Sequence, residues 1–210
     1  MHSKSLIEFY KPLKAYIRKA QNQAGTIGSE RRLLLDELAS YIREKGASGD
    51  QANLVFICTH NSRRSIMSQI FAQTMAALYG IENVMCYSGG TEATAFNPRA
   101  VDAMKRAGFK ILKSGEENPR YSVFYSDHST PIFCFSKVYN DDENPDINFA
   151  AVMTCSDAER NCPFIPGTDR RFSISYEDPK EADNTSYESE RYDERALQIA
   201  SEMFYAMSRV

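Results

Sequence analysis

Apolar residues recur every three or four positions through the first fifty residues, then gather into short continuous runs further along the chain. Over residues 5–20, Leu6, Phe9, Tyr10, Leu13, Tyr16, Ile17 and Ala20 stand at helical spacing with charges between them, which predicts an amphipathic helix. Residues 21–28 read as a linker. Ser29 suits the N-cap of a second helix, with Leu34, Leu35, Leu38, Tyr41 and Ile42 as its apolar stripe and Gly46 and Gly49 at its end. Two such helices cannot bury their stripes alone. They must pack on the rest of the chain or on another subunit.

From Leu54 the pattern changes. Leu54-Val55-Phe56-Ile57 is a continuous apolar run, as expected of a strand buried on both faces. A helix follows over 65–79, then a strand over 84–87 with Gly89-Gly90 behind it. Asn97-Pro98 opens another helix that Gly108 closes. Residues 123–125 and 131–135 flank Asp127-His128-Ser129, the pattern of a hairpin. Residues 149–153 and 172–176 read as strands, and a last helix runs over 187–207. This alternation predicts an α/β fold in three layers around a central, mostly parallel, four-stranded sheet. That domain would span 51–210, with residues 1–50 as an N-terminal helical extension and a hairpin inserted near 120–137. Ligands of such sheets sit at the carboxyl ends of the strands.

Composition narrows the function. The chain of 210 residues is 42% hydrophobic and 25% charged, ordinary for a soluble globular protein. A net charge of −3 and a pI near 5.7 supply no field for nucleic acid or an anionic membrane, so neither is an expected partner. Any anion must be held by a local site. No apolar run reaches the roughly 18 residues of a membrane span, and the opening residues lack the core of a signal peptide. The expected compartment is the cytoplasm, where thiols stay reduced. Five cysteines, an odd number, do not read as a secreted disulfide framework, which leaves some of them for chemistry.

Cys58-Thr59-His60-Asn61-Ser62-Arg63-Arg64-Ser65 lies between the first buried strand and a helix. A loop that curls into a helix N-terminus turns successive amides inward, and the helix dipole adds about half a positive charge. Such surroundings lower a cysteine's pKa from about 8.5 to roughly 3.5–7.5, which makes Cys58 a candidate nucleophile. Arg64 could offer a bidentate fork to an oxyanion, and Ser65 a hydroxyl to the sulfur. Asn61 could hold the loop through its side-chain amide. Downstream, Cys155 closes a buried strand and Cys162 follows seven residues later. The pair could be inert core or metal ligands, although no second pair or histidine stands at zinc spacing. Cys86 and Cys134 sit within apolar strand patterns and read as core.

The segment Cys58 to Ser65 resembles the phosphate-binding loop of the low-molecular-weight protein tyrosine phosphatase superfamily. Tyr87-Ser88-Gly89-Gly90-Thr91-Glu92 and Asn97-Pro98-Arg99-Ala100 resemble its second strand and following helix. The likeness covers roughly residues 53–208. It implies that Thr59, His60, Asn61, Ser62 and Arg63 bind the oxyanion, and that Cys58, Arg64 and Ser65 act on it. The family's general acid precedes a proline, which assigns Asp178 of Glu177-Asp178-Pro179 and leaves Glu177 a bystander. His60 stands where the family usually has glycine, so it either tolerates a positive φ or lines the mouth of the site. Arg63 replaces a small residue; it extends the positive mouth or is solvated. Lys180 replaces an aromatic residue that phosphotyrosine phosphatases carry.

Thr154 to Pro163 resembles the redox element of thioredoxin-coupled arsenate reductases, a branch of the same superfamily. The resemblance implies a relay through Cys58, Cys155 and Cys162 on a polar mobile loop, with thioredoxin as reductant and no metal or cofactor. Arsenate would be the substrate, with phosphate-ester hydrolysis, chiefly of phosphotyrosine, as the alternative. The N-terminal helices read as packing or homodimer elements.

Overall fold

The computed structural model describes residues 7–161 and 164–210. Strand β1 (Ala52–Cys58) supplies both faces of the core from one apolar run, because successive side chains alternate across a strand. Leu54 and Phe56 enter the larger hydrophobic cluster, and Val55, Ile57 and Cys58 enter a smaller one. Parallel ladders join β1 to β2 (Val84–Gly90) on one side and to β6 (Phe149–Met153) on the other. Strand β7 (Thr168–Ser173) adds parallel to β6, so the sheet runs β2-β1-β6-β7 and all its ladders are parallel.

This order fixes where a ligand can sit. Helix α3 (Arg64–Tyr79) carries the chain from β1 to β2, whereas α5 (Ser156–Asn161) leads from β6 to β7. The two connections leave toward opposite sheet edges, which opens a crevice beyond the ends of β1 and β6. Cys58 ends β1, and Cys155 comes two residues after β6.

Helix α1 (Lys11–Ala24) packs on α6 (Glu188–Ser208), and α2 (Ser29–Ser48) packs on α6 and β1. Their stripes, Leu13, Ile17 and Ala20 with Leu35, Leu38 and Ile42, are all part of the larger core. The contact with α1 is tight. A Cβ on Gly108, at φ +105°, would stand 2.4 Å from the Leu13 nitrogen. Among the described residues no helix is long and apolar enough to cross a membrane.

Several boundaries differ from the sequence reading. The first helix starts at Lys11 rather than residue 5; Pro12 occupies its first turn, and Tyr10 before it has a non-helical backbone. Phe9 bridges to Ser126, and Tyr10 donates its amide to the Tyr125 carbonyl. Leu6 lies outside the described residues. The helix then continues to Ala24 through part of the expected linker. Gly28, not Ser29, caps α2, and Gly46 lies within it, while Gly49 ends it in the left-handed region. The expected hairpin is β4 (Arg120–Phe124) with β5 (Ile132–Cys134), joined by a third antiparallel strand, β3 (Lys110–Ser114), whose mostly exposed residues gave little signal. Strand β7 begins four residues earlier than expected, on polar edge positions. The amides of Ile174 and Tyr176 still bond to the Met153 and Thr154 carbonyls beyond its end.

Helix α4 (Pro98–Arg106) starts where Asn97-Pro98 predicts, with the Asn97 side chain accepting the Arg99 amide at 2.9 Å. The segment after Cys155 is the helix α5 rather than an irregular loop. The Glu159 carbonyl accepts from Arg171, and its carboxylate from Ser173.

Candidate active site

Cys58 is 3% exposed, and its Sγ lies 3.1 Å from Ser65 Oγ. Asn61 Nδ2 donates to that same hydroxyl at 2.8 Å, which leaves the serine's own proton for the sulfur. The other end of the Asn61 amide accepts from the Lys137 backbone at 2.9 Å, so Asn61 ties the loop to the strand region behind it. Asn61 also carries the loop's positive φ, +44°. Asparagine tolerates that region, and His60, where glycine was expected, is not among the positive-φ residues. The His60 imidazole is partly exposed, 3.7 Å from Glu92.

Surrounding groups hold the loop by its carbonyls. Thr91 N donates to Cys58 O at 3.2 Å, Glu92 N to Thr59 O at 2.9 Å, Ser136 Oγ to His60 O at 2.9 Å and Asn97 N to Ser62 O at 2.9 Å. A trans peptide points its N–H opposite to its C=O. The amides of Thr59, His60, Asn61 and Arg63 are thereby turned to the other side of the loop, an arrangement suited to an anion. Gly90 makes this packing feasible, because a Cβ there would stand 2.7 Å from both Asn61 N and Thr59 O. Ser62 fastens the loop to the segment before α4, its hydroxyl donating to Ala95 O at 2.7 Å.

The two arginines that end the loop are both tied to protein groups. Arg64 is buried, with Nη1 donating to Tyr176 O at 3.1 Å and Nη2 to Asp178 Oδ2 at 2.6 Å, so its fork is closed on protein groups. Its Nε is buried and has no hydrogen-bond partner among the described residues. Arg63 is not solvated, its side chain being 11% exposed. Its Nε donates to Tyr192 OH at 2.8 Å, Nη2 reaches Asp183 at 3.4 Å, and Asp178 Oδ1 lies 3.9 Å away. Asp178 Oδ1 also accepts the Lys180 amide at 3.1 Å, which caps the 3₁₀ turn Pro179–Ala182. Glu177 points outward, its side chain 90% exposed and paired with Arg195 at 3.0 Å.

Cys155 is fully buried in the same small cluster as Cys58. Its sulfur lies 3.6 Å from Thr59 Oγ1 and accepts the Ala158 amide at 3.3 Å. Cys162, the remaining cysteine of the expected relay, lies outside the described residues. Cys86 and Cys134 sit apart in the larger core; burial raises the first and pushes the second up to about 12, which keeps both as neutral thiols. Among the described residues no cluster of His, Cys, Asp and Glu could hold a metal ion.

Sequence reasoning missed Tyr192 and Asp183. Tyr192 is a fully buried tyrosine of α6 whose hydroxyl accepts from Arg63 and donates to Asp183 Oδ1 at 2.8 Å. Its only sequence signal was a place within an amphipathic helix. Lys137 was also unremarked, yet it is buried against the Phe135 ring, and desolvation lowers its pKa.

Residues 53–117 match the family described as low molecular weight phosphotyrosine protein phosphatase. The chain is 32% identical over 127 residues to the arsenate reductase of Staphylococcus aureus strain Newman, covering 60% of this chain and 77% of that protein. It is 29% identical over 130 residues to arsenate reductase 2 of Staphylococcus epidermidis, covering 62% and 80%. Among solved structures, a mutant of YwlE from Bacillus subtilis superposes with a TM-score of 0.52 at 16% identity over 75% of this chain and 97% of its own. The low molecular weight protein tyrosine phosphatase of T. tengcongensis gives 0.51 at 18%, over 76% and 100%. These two likenesses show the fold. With the relatives' identity and coverage, the chain belongs to the low molecular weight phosphotyrosine protein phosphatase family, in its arsenate reductase branch.

Proposed function

We propose that this protein reduces arsenate to arsenite, with Cys58 as nucleophile and Cys155 and Cys162 as relay thiols. The observation that carries this reading is the contact between Thr59, next to the nucleophile, and the Cys155 sulfur at 3.6 Å. A phosphatase needs no second thiol at that place.

In the first step the Cys58 thiolate attacks arsenic, an S–As bond forms, and an oxygen leaves as water after taking a proton from Asp178. The Cys155 thiolate then attacks the Cys58 sulfur. The S–As bond breaks with its electron pair going to arsenic, which departs as arsenite, and a Cys58–Cys155 disulfide remains. The Cys162 thiolate attacks Cys155, frees Cys58 as thiolate and leaves a Cys155–Cys162 disulfide. A protein dithiol such as thioredoxin reduces that bond, in keeping with a cytoplasmic enzyme. The loop amides and Arg64 hold the tetrahedral oxyanion throughout.

A second reading, hydrolysis of phosphate esters through a Cys58 phosphoenzyme, uses the same loop with Asp178 beside it and needs neither Cys155 nor Cys162. The test runs arsenate-dependent NADPH oxidation, coupled through thioredoxin and its reductase, beside aryl-phosphate hydrolysis. Robust NADPH oxidation that depends on arsenate supports reduction. Aryl-phosphate turnover without it would leave the phosphatase.

A further inference from the structure

Two contacts hold Arg64, and both lie on one short segment of chain. Its Nη1 donates to the Tyr176 carbonyl at 3.1 Å and its Nη2 to Asp178 at 2.6 Å. Nε and a second N–H on each Nη remain for an anion, so an oxyanion can be gripped while both contacts stay in place. Where the guanidinium points is then set by where residues 176–178 lie. That segment runs beyond the end of β7, the outermost strand of the sheet, so β6 supports it on one side only.

Helix α2 covers the other side. A trans peptide points its C=O and N–H in opposite directions. The peptide between Ser175 and Tyr176 donates its N–H to the Thr154 carbonyl at 3.0 Å, and its C=O accepts from Arg31 Nη2 at 3.1 Å. Thr154 is in turn tied to the Ile57 carbonyl, one residue before Cys58, by its amide at 2.7 Å. Arg31 is itself fixed. Its Nε and Nη2 donate to Glu202 of α6 at 3.1 and 2.8 Å, and its guanidinium lies 5.1 Å from the centre of the buried Tyr176 ring. Farther along α2, Tyr41 and Lys45 reach Asp169 near the start of β7, at 3.0 and 2.7 Å.

We propose that Arg31 is a positioning residue for the oxyanion site. By clamping the Ser175–Tyr176 peptide against Thr154, it fixes the next carbonyl, that of Tyr176, and through it aims Arg64. Helix α2 lies outside residues 53–117, which match the family, yet it braces the segment on which the anion-binding arginine rests. The inference rests on the Cys58 loop being the oxyanion site, as the proposed function requires.

Removing Arg31 alone would strand the Glu202 carboxylate, whose side chain is 5% exposed, and would cost stability whatever its role. The informative variant is therefore Arg31→Met with Glu202→Met, since replacing a buried ion pair by apolar side chains of similar volume is often neutral. It leaves the Ser175 carbonyl without its donor. The readout is the rate at which iodoacetamide labels Cys58 in the whole chain, followed by peptide mass, as inorganic phosphate is raised. Labelling without phosphate should stay within about 2-fold of wild type, because the loop around the sulfur is unchanged. The phosphate concentration giving half-protection should rise about 5-fold or more. Arg31→Lys, which keeps a donor and the charge, should fall between wild type and the double variant. Arg31→Gln, too short to reach Glu202 and Ser175 together, should raise half-protection about 2-fold and decides the matter if the double variant does not fold.

Unchanged half-protection in a folded variant lacking Arg31 would leave Arg31 a purely structural contact and overturn the inference alone. So would a labelling rate without phosphate that shifts as far as half-protection does, since the loop itself would then be disturbed. A wild-type Cys58 that phosphate does not protect overturns the functional reading and the inference together.

Discussion

The Thr59 hydroxyl lies 3.6 Å from the Cys155 sulfur, so the residue that follows the loop cysteine touches the second thiol directly. The contact arises because β1 and β6 are neighbours in a parallel ladder and both end at the same sheet edge. It makes Cys155 separable from the rest of the site. Cys155→Ala should abolish arsenate-dependent NADPH oxidation and leave aryl-phosphate hydrolysis within about 3-fold, whereas Cys58→Ala should abolish both. Steady-state assays of the two variants decide it. Arsenate turnover that survives loss of Cys155 would end the relay.

Asn61 donates to the Ser65 hydroxyl, which leaves that hydroxyl's proton available to the Cys58 sulfur 3.1 Å away. A hydrogen bond to a charged group is worth about 1.5–3 kcal/mol, which corresponds to a rate factor of roughly 10 to 150. Ser65→Ala should slow alkylation-sensitive turnover within that range with little change in phosphate affinity. Equal kcat in wild type and variant would remove Ser65 from the reaction.

Gly90 is a steric requirement of the loop. An alanine there would meet Glu92 O at 2.4 Å as well as the loop backbone, atoms that cannot yield as a side-chain tip can. Gly90→Ala should cost about 1–3 kcal/mol on urea denaturation and weaken phosphate protection of Cys58. Unchanged protection would mean the loop absorbs the methyl group.

Leu38 of α2 is fully buried in the larger core. Leu38→Ala should therefore lower stability by about 2–5 kcal/mol in a single cooperative transition. A cost near zero would show that the N-terminal helices are not part of the folding unit.

Alkaline stability should follow the core cysteines. Cys134 titrates at about 12 in the folded chain against an ordinary value of 9.0, because burial disfavours its thiolate. A raised folded pKa contributes stability that is complete below pH 9 and is lost as the pH climbs from 9 toward 12. Each pH unit in that window removes about 1.4 kcal/mol per such group. Cys134→Ala should flatten the fall by about that amount, read from urea midpoints at pH 9.5 and 10.5. Parallel stability curves would contradict the burial effect.

The place of the Cys58 loop in the fold was legible because it is local. A buried apolar run, Cys58, and a helix beginning at the arginines set the loop between a strand end and a helix start from consecutive residues, and the amphipathic spacing of both N-terminal helices announced faces that needed covering. Short polar elements were harder to read. Strand β3 has Lys-Ile-Leu-Lys-Ser, whose alternation is too weak to distinguish it from a turn, and the first helix could be placed only once Pro12 and the non-helical Tyr10 before it were seen together.

Sequence alone thus determined the parallel α/β class and the places of the Cys58 loop and of Cys155 at strand ends, since each follows from residues adjacent along the chain. Tertiary structure decided which groups meet across it. Arg64 closing on Asp178, Arg63 turning inward to Tyr192, and Thr59 reaching Cys155 span 114, 129 and 96 positions of sequence. No local pattern encodes such pairings. They depend on the strand order β2-β1-β6-β7, which brings remote strand ends to one edge.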